Sequence, residues 1–325
     1  MWSGLVSRRG FIGGAAGVTS AIVLGMAAPS ASATGRVVLG GYSDGMDIYP
    51  QRLNNLSSVL SRPLSIASVF RGPGDIWPGP VEAALGSGRT LLVGWYLDDR
   101  SFGYWASAAA RPELVAVARR VKAYGRIVAI RPWAEMNGDW QSFQPTANPT
   151  DGYATGYQAF IAAWRNLVTV FRAEGATNVR WVFNPTTDTY AETTDVRRIW
   201  PGQSYVNVLG LDGYNWGTGG GLTWRSFANI YQIQYNRLVS LAPSLPLWIC
   251  EIGCADPLSA RNAVTAPTGQ SKAQWWKDMS LAVQKMPAVQ AVVLFDMCKE
   301  RDWRASSSAT ALTGLRGALA TVTAQ

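Results

Sequence analysis

Eight short apolar segments recur along the chain, and this repetition limits the possible folds more than any other feature. The segments are rich in Val, Ile, Leu and aromatic residues, as strands buried on both faces are. Helical spacing occupies 112–125, 157–175 and 224–242, and the first two of these stretches end at a glycine. The eight candidate strands are residues 37–42, 64–70, 90–96, 126–133, 179–185, 206–215, 247–253 and 291–297.

Alternating strands and helices predict an α/β protein built as a single (β/α)8 TIM barrel. A doubly wound open sheet is the competing arrangement, although no glycine-rich phosphate loop is present. The chain has 325 residues, enough for one large domain, which we assign to 34–325. No linker or low-complexity tail indicates a second domain.

The N-terminal segment has the pattern of an export signal. Arg8 and Arg9 lie in "SRRGF" and precede an apolar, small-residue stretch that is followed by "ASA" at 31–33. This pattern predicts a Tat-type signal peptide at residues 1–33 and a mature protein that is secreted, extracellular or cell-wall associated. Glycines interrupt the apolar stretch, so a retained anchor is the weaker interpretation and we expect no membrane span in the mature protein.

The absence of histidine excludes several kinds of catalysis at once. Ser-His-Asp and Cys-His triads and HExxH zinc sites all need an imidazole, so proton transfer falls mainly to carboxylates. The net charge is +8, but only 15% of residues are charged and the basic ones are scattered. We therefore expect no nucleic-acid partner, no cofactor and no metal. The 15 tryptophans offer faces for stacking as well as core filling.

Three cysteines allow one disulfide in an oxidising compartment. Cys250 directly precedes Glu251 in a strand, so strand alternation predicts that it faces the outer layer and stays reduced. Cys254 and Cys298 both lie just beyond strands and are the better pair. We expect them to form the disulfide.

Polar and aromatic residues collect where the strands end, which is where barrel enzymes place their active sites. Glu135 follows strand 4 within "RPWAEMNGDW", and Glu251 ends strand 7. Two carboxylates across a central groove suit retaining glycoside hydrolysis. The other residues at these ends are Trp77, Trp95, Asp98, Trp133, Asn137, Trp140, Asn184, Asp188, Asp212, Tyr214, Trp216, Lys299, Trp303 and Arg304.

Strand alternation predicts that Arg131, Trp133 and Glu135 share one side of strand 4. The positive charge of Arg131, below the two glutamates, would then favour ionisation of one of them. The resulting carboxylate would discourage ionisation of the other. Asp188 suits loop capping and substrate contact equally well. Bulky aromatic residues routinely fill the space between barrel and helices, so we expect packing roles for Trp77, Trp95 and Trp105.

The motifs "RPWAEMNGDW", "LDGYNW", "LWICEIG" and "KERDWR" together resemble glycoside hydrolase family 26, a group of (β/α)8 enzymes best known as endo-β-1,4-mannanases. The resemblance covers most of the chain after residue 33. It implies that Glu135 is the acid/base and Glu251 the nucleophile. It also implies that Tyr214 hydrogen-bonds the nucleophile beside Asp212.

The same resemblance implies the residues that bind sugar. Trp140 corresponds to a stacking residue near the leaving group, Trp303 to a platform at the cleavage point, and Arg304 to an adjoining subsite. Asn137 and Asp212 belong with these substrate-binding residues. The expected partner is a β-linked polysaccharide or oligosaccharide.

One departure from the family pattern concerns the substrate. Ala134 stands where the family usually has histidine before the acid/base, and we expect this to open space beside the cleavage point. The leading hypothesis is a secreted endo-β-1,4-mannanase-like enzyme. A β-glucanase or another β-glycanase of the same fold, and an inactive carbohydrate-binding barrel, are the alternatives. An unrelated barrel enzyme would need a reactive lysine or a metal cluster.

Overall fold

The structure, a computed structural model, describes residues 37–188 and 195–323, so the expected signal peptide at 1–33 lies outside the described residues. Eight parallel strands close into a barrel in sequence order, with β8 paired to β1. Every predicted strand is present with both ends within two residues, which confirms the (β/α)8 barrel. The strands are β1 (Val38–Ser43), β2 (Ile66–Arg71), β3 (Thr90–Trp95), β4 (Val128–Pro132), β5 (Val179–Phe183), β6 (Val208–Asn215), β7 (Leu247–Cys254) and β8 (Val289–Asp296).

Helices surround the barrel and include the three predicted from spacing. They are α1 (Gln51–Leu60), α2 (Pro80–Leu85), α3 (Phe102–Ala106), α4 (Arg111–Tyr124), α5 (Gly156–Ala173), α6 (Phe227–Leu241), α7 (Lys272–Val283) and α8 (Ala309–Thr323). Side-chain oxygens of Thr155, Ser226 and Ser271 accept hydrogen bonds from the first turns of α5, α6 and α7. Across 37–188 and 195–323, none of the helices is both long and apolar enough to cross a membrane.

Two apolar layers hold the fold together. The barrel interior is filled by small and branched side chains from successive strands, such as Ile66, Leu92 and Val182. The larger outer layer lies between strands and helices. Trp77, Trp95 and Trp105 are all buried in it, which confirms their expected packing roles.

A bulge in β7 changes the direction of two side chains. Leu211 of β6 pairs with Ile249, and the next pair is Asp212 with Glu251, so Cys250 is an extra residue. Bulges re-aim the side chains beside them. Cys250 therefore packs inside the barrel while Glu251 reaches the cleft above it. The expectation that Cys250 faces the outer layer is wrong for this reason.

The expected disulfide between Cys254 and Cys298 is not formed, and all three cysteines are free. Cys254 is buried in the outer layer at the end of β7, where Asn215 Nδ2 donates to its sulfur over 3.4 Å. Cys298 is only partly buried, and its backbone forms an isolated antiparallel bridge with Asp302 in the loop after β8. Burial raises the pKa of Cys254 to about 12, so the thiol keeps its proton. The bulge at Cys250 shifts the alternation of side chains in the part of β7 that follows it, up to Cys254. Simple alternation along the sequence does not predict such a shift.

Candidate active site

The carboxyl ends of the strands surround a cleft of about 650 Å³. Glu135 and Glu251 both line it, together with Trp140, Tyr214 and Trp303. They come from four loops or strand ends far apart in sequence, with Glu135 and Trp140 in the same loop. The barrel brings them together because parallel strands end on one face.

A strained turn presents Glu135 to the cleft. Strand β4 ends at Pro132. Both Trp133 (φ 48°) and Glu135 (φ 59°) then adopt left-handed backbone conformations, which residues other than glycine disfavour. The amide of Glu135 donates to the carbonyl of Asn184 over 2.8 Å, which anchors the turn to the loop after β5. Backbone strain of this kind clusters at functional sites.

The same turn corrects the expected direction of Trp133. Its ring lies in the outer layer, with centroids 5.5 Å from Phe102 and 5.6 Å from Phe160. Strand alternation stops at Pro132, and left-handed φ values replace it. Trp133 therefore does not lie on the same side as Arg131 and Glu135, which was the expectation.

Glu251 lies between two hydrogen-bond donors, one on each carboxylate oxygen. Arg131 Nη1 is 2.7 Å from Oε1, and the Tyr214 hydroxyl donates to Oε2 over 2.6 Å. Arg131 is fully buried, with its guanidinium carbon 5.1 Å from the ring centroid of Phe70. The two contacts fix the orientation of the Glu251 carboxylate in the cleft.

Asp212 contacts the same Arg131 guanidinium as Glu251 does, from a position beneath the cleft. Its Oδ2 is 3.0 Å from Arg131 Nη1, the residue is fully buried, and Oδ1 has no hydrogen-bond partner among the described residues. Burial first, and then the charge of Glu251, raise the pKa of Asp212 well above its usual value, against the opposing effect of Arg131. Arg131 contacts two carboxyl groups, those of Asp212 and Glu251, through the same nitrogen.

Glu135 has a different environment. Trp140 Nε1 donates to its Oε2 over 2.9 Å, and Gln141 Nε2 lies 3.4 Å from the same oxygen. Desolvation and the nearby charge of Glu251 raise the pKa of Glu135 to about 7, although the Trp140 hydrogen bond and Arg131 oppose the shift. At neutral pH a large share of Glu135 therefore carries a proton.

Three residues expected to bind substrate do not line the cleft. Asn137 is fully buried, and its amide group accepts from Thr186 N at 2.7 Å and donates to Thr186 O at 3.1 Å. Asp212 lies below the cleft beside Arg131. Arg304 forms an ion pair with Asp302, at 2.7 Å between Nε and Oδ1. Asn137 and Asp212 are fully buried, whereas the Arg304 side chain is 38% exposed outside the cleft lining.

Trp140 and Trp303 line the cleft in different ways. Trp140 is 46% exposed, whereas Trp303 is only 2% exposed. The Trp303 ring packs 4.8 Å from Tyr214 and 5.0 Å from Trp216, measured between centroids. Trp140 thus offers a face for stacking, while Trp303 mainly supports its neighbours.

Sequence reasoning missed several cleft residues. Tyr42, Phe70, Tyr96 and Phe295 line one wall, and each is at or next to the end of its strand. Inspecting the last two residues of every strand, as well as the first residue beyond it, would have found them. Gln141 carries no such signal, because only the folded loop brings its amide to Glu135.

Ala134 does not open the cleft as expected. It is fully buried and is not part of the cleft lining, and Gln141 Nε2 lies 3.5 Å from its carbonyl oxygen. Asp188, whose role was open, lines the cleft and pairs with Arg225 at 2.7 Å. Lys299 also lines the cleft but is exposed and paired with Glu300.

Comparisons with known proteins agree with this architecture. Residues 112–279 match the model of glycosyl hydrolase family 26. The chain is 33% identical over 295 residues to Endoglucanase H of Acetivibrio thermocellus, covering 86% of this chain and 31% of that protein. This chain thus spans about a third of that relative's length.

Solved structures share the fold at low identity. GH26A from a Muricauda species has 15% identity and a TM-score of 0.58, covering 86% of this chain and 88% of its own. An endo-β-1,4-mannanase double mutant from Cellulomonas fimi has 15% identity and a TM-score of 0.58, covering 88% of this chain and 71% of its own. The family match and the barrel define a glycosidase-type protein. The chain belongs to glycoside hydrolase family 26.

Proposed function

We propose that this protein is a retaining β-glycoside hydrolase in which Glu251 is the nucleophile and Glu135 the acid/base. The observation that carries the proposal is the contrast between two glutamates in one cleft. Glu251 is held by Arg131 and the Tyr214 hydroxyl, whereas the pKa of Glu135 is raised to about 7 by desolvation and by Glu251. Retaining hydrolysis needs one ionised and one protonated carboxyl group.

In the first step, a Glu251 oxygen attacks the anomeric carbon as the glycosidic bond breaks. Glu135 gives its proton to the departing oxygen, and a covalent glycosyl ester remains on Glu251. Arg131 and Tyr214 hold the nucleophile in place through separate oxygens, which fixes the orientation of the carboxylate. Positioning of this kind reduces the entropy lost in reaching the transition state.

In the second step, Glu135 acts as a base. The ester has removed the negative charge of Glu251, so one cause of the raised pKa of Glu135 is gone while Arg131 remains. Glu135 then takes a proton from water as the water oxygen attacks the anomeric carbon. The ester bond breaks and both carboxyl groups return to their starting states.

The proposed substrate is a β-linked hexose polymer, and we favour a glucan over a mannan. The relative at 33% identity, of which this chain covers 31%, is named an endoglucanase, whereas the structures named only as mannanases share the fold at 12–17% identity. The chain also has no histidine to read sugar hydroxyls. The aromatic lining suits stacking on pyranose faces, chiefly at the exposed ring of Trp140.

A reducing-sugar assay on a polysaccharide panel tests this function. The panel contains mixed-linkage β-glucan, carboxymethyl cellulose, glucomannan and β-1,4-mannan, with starch as the α-linked control. We expect hydrolysis of the β-linked polymers, fastest on a glucan, and none in Glu251→Ala. Cleavage of starch alone would refute the substrate class, and no cleavage by folded protein would favour an inactive carbohydrate-binding barrel.

We also propose that the protein works outside the cytoplasm. Support comes from the Arg8-Arg9 pair, the apolar stretch and the "ASA" at 31–33. Expression of the full chain in a bacterium with a Tat pathway tests the idea. We expect mature protein beginning near residue 34 in the exported fraction, and cytoplasmic retention when both arginines are changed to lysine. Equal export of that double variant would contradict a Tat route.

A further inference from the structure

A buried lysine lies beneath the loop that carries Trp303. Lys272 is the first residue of α7 and is 1% exposed, although lysine is almost never fully buried without partners. Its Nζ contacts the carbonyl oxygens of Asp302 (3.4 Å), Trp303 (3.2 Å) and Arg304 (2.8 Å), and Ser307 Oγ (3.0 Å). All four partners belong to residues 299–307, here named the Trp303 loop.

An apolar side chain could fill this space but could not replace these bonds. An ammonium group has three donors and can serve several acceptors at once. Desolvation lowers the pKa of Lys272, while the charges of Asp256 and Asp302 oppose that shift. In the described part of the chain, no carboxylate lies within ion-pair distance of Nζ. The main bonding partners of Lys272 are therefore the loop carbonyls and Ser307.

The loop after β7 holds the Trp303 loop from the other side. Ser307 Oγ donates to Asp256 Oδ2 over 2.8 Å, and Ser259 Oγ donates to Asp302 Oδ2 over 2.8 Å. The amide of Asp302 donates to Asn262 Oδ1 over 2.7 Å. These bonds tie the Trp303 loop to the loop that directly follows the strand of Glu251.

The held loop also supports the nucleophile's hydrogen-bond donor. The Trp303 ring lies 4.8 Å from Tyr214, whose hydroxyl donates to Glu251. Gly253 leaves room for this contact, since a Cβ there would come within 2.8 Å of Tyr214 and 3.0 Å of Trp303. A continuous set of contacts therefore runs from Lys272 through Trp303 and Tyr214 to Glu251.

We propose that Lys272 is a positioning residue: it fixes the Trp303 loop so that Trp303 holds Tyr214 against Glu251. The link to catalysis rests on the proposed function, but the positioning of the loop does not. The contacts of Lys272 Nζ are with the Trp303 loop and not with Glu135 or Glu251. Its removal should loosen one loop and leave the barrel intact.

Hydrogen exchange on the unliganded protein tests the positioning directly. Lys272→Met keeps the approximate length of the side chain and removes the donors. We expect amides of residues 299–307 to exchange at least about tenfold faster, since they lose bonds that limit local opening. Lys277→Met, on an exposed position of the same helix, is the matched control and should match wild type. Unchanged exchange in 299–307, or equal acceleration in all strands, would overturn the proposal.

A milder variant covers the case in which Lys272→Met does not fold. Ser307→Ala keeps the lysine and removes one of the four partners of Nζ, together with the hydrogen bond from Ser307 Oγ to Asp256; Asp256→Asn, which changes only the acceptor of that second bond, is the matched control. We expect a smaller acceleration, roughly threefold, confined to the same loop. Normal exchange in Ser307→Ala, together with no folded Lys272→Met protein, would count against the proposal and indicate a general stability role.

A double-mutant cycle tests the route through Trp303. If Lys272 acts through that ring, Lys272→Met should lower kcat/KM on a β-gluco-oligosaccharide by about tenfold in wild type but less than about twofold in Trp303→Ala. Equal losses in both backgrounds would refute the route. A wild-type protein that cuts no glycan would refute the proposed function and leave the exchange result standing.

Discussion

The Tyr214 hydroxyl donates to Oε2 of Glu251 over 2.6 Å, while Arg131 holds the other oxygen of the same carboxylate at 2.7 Å. Tyr214 comes from β6 and Glu251 from β7, and the bulge at Cys250 sets their register. Each oxygen thus has its own donor. The proposed nucleophile is oriented by both, and only Tyr214 can be removed without leaving a buried charge unpaired.

For that reason Tyr214→Phe is the cleanest test of nucleophile positioning. We expect kcat/KM to fall by roughly 10- to 100-fold, because a hydrogen bond to a charged group contributes about 1.5–3 kcal/mol. Steady-state kinetics on an aryl β-glycoside measures the loss. Tyr104→Phe, far from the cleft lining, is the control. A Tyr214→Phe enzyme as active as Tyr104→Phe would contradict the role.

The pH dependence should follow Glu135. Its pKa is raised to about 7, and the acid form is needed for the first step, so kcat/KM should decline as pH rises through about 7. Trp140 stabilises the ionised form, so Trp140→Phe should move this limb to higher pH. Asp188 raises the pKa, so Asp188→Asn should move it to lower pH. Shifts in the same direction in both variants would contradict this assignment.

Ionisation of Glu135 should lower the free energy of unfolding at high pH. Its folded pKa lies above the ordinary value of 4.5, so ionisation disfavours the folded state and stability is lost as pH rises from about 4.5 to 7. Glu135→Gln removes that loss. Urea unfolding should show the variant gaining about 1–3 kcal/mol more at pH 8 than at pH 4. Asp98→Asn, on an exposed loop, is the control, and a pH-independent gain would disprove the explanation.

Gly253 should tolerate no side chain. A Cβ would lie 2.8 Å from the Tyr214 ring and 3.0 Å from the Trp303 ring, so both must move. We expect Gly253→Ala to lose about 1–3 kcal/mol of stability and most of its activity. Gly317→Ala is the matched control, because no atom lies within 4 Å of its added Cβ. A Gly253→Ala enzyme with wild-type kcat would show that the Tyr214–Trp303 contact is dispensable.

The strand order and the faces of the barrel were predictable from sequence because each depends on local apolar pattern. All eight strands and the buried tryptophans followed from it. The direction of Cys250 did not, since a bulge is defined only by pairing with the neighbouring strand. The same holds for Trp133, whose left-handed backbone ends the alternation.

The site was predictable only in part for a related reason. Glu135 and Glu251 could be placed in the cleft from their positions at strand ends. The sequence did not show that Asn137 and Asp212 lie outside the cleft, because the residues that bind them are distant in sequence. Asn137 bonds Thr186, 49 residues away, and Asp212 bonds Arg131, 81 residues away. Burial of a polar side chain depends on such partners and has no local signature.

Trapping the covalent intermediate tests double displacement through Glu251. A 2-deoxy-2-fluoro β-glycoside with a good leaving group should inactivate the enzyme and leave a sugar ester, because the fluorine slows both steps while the good leaving group keeps the first step fast. Mass spectrometry of a peptic digest should find the label on Glu251, with wild-type and Trp140→Phe protein labelled and Glu251→Ala protein unlabelled. Labelling of another residue, or turnover with inversion and no ester, would contradict double displacement through Glu251.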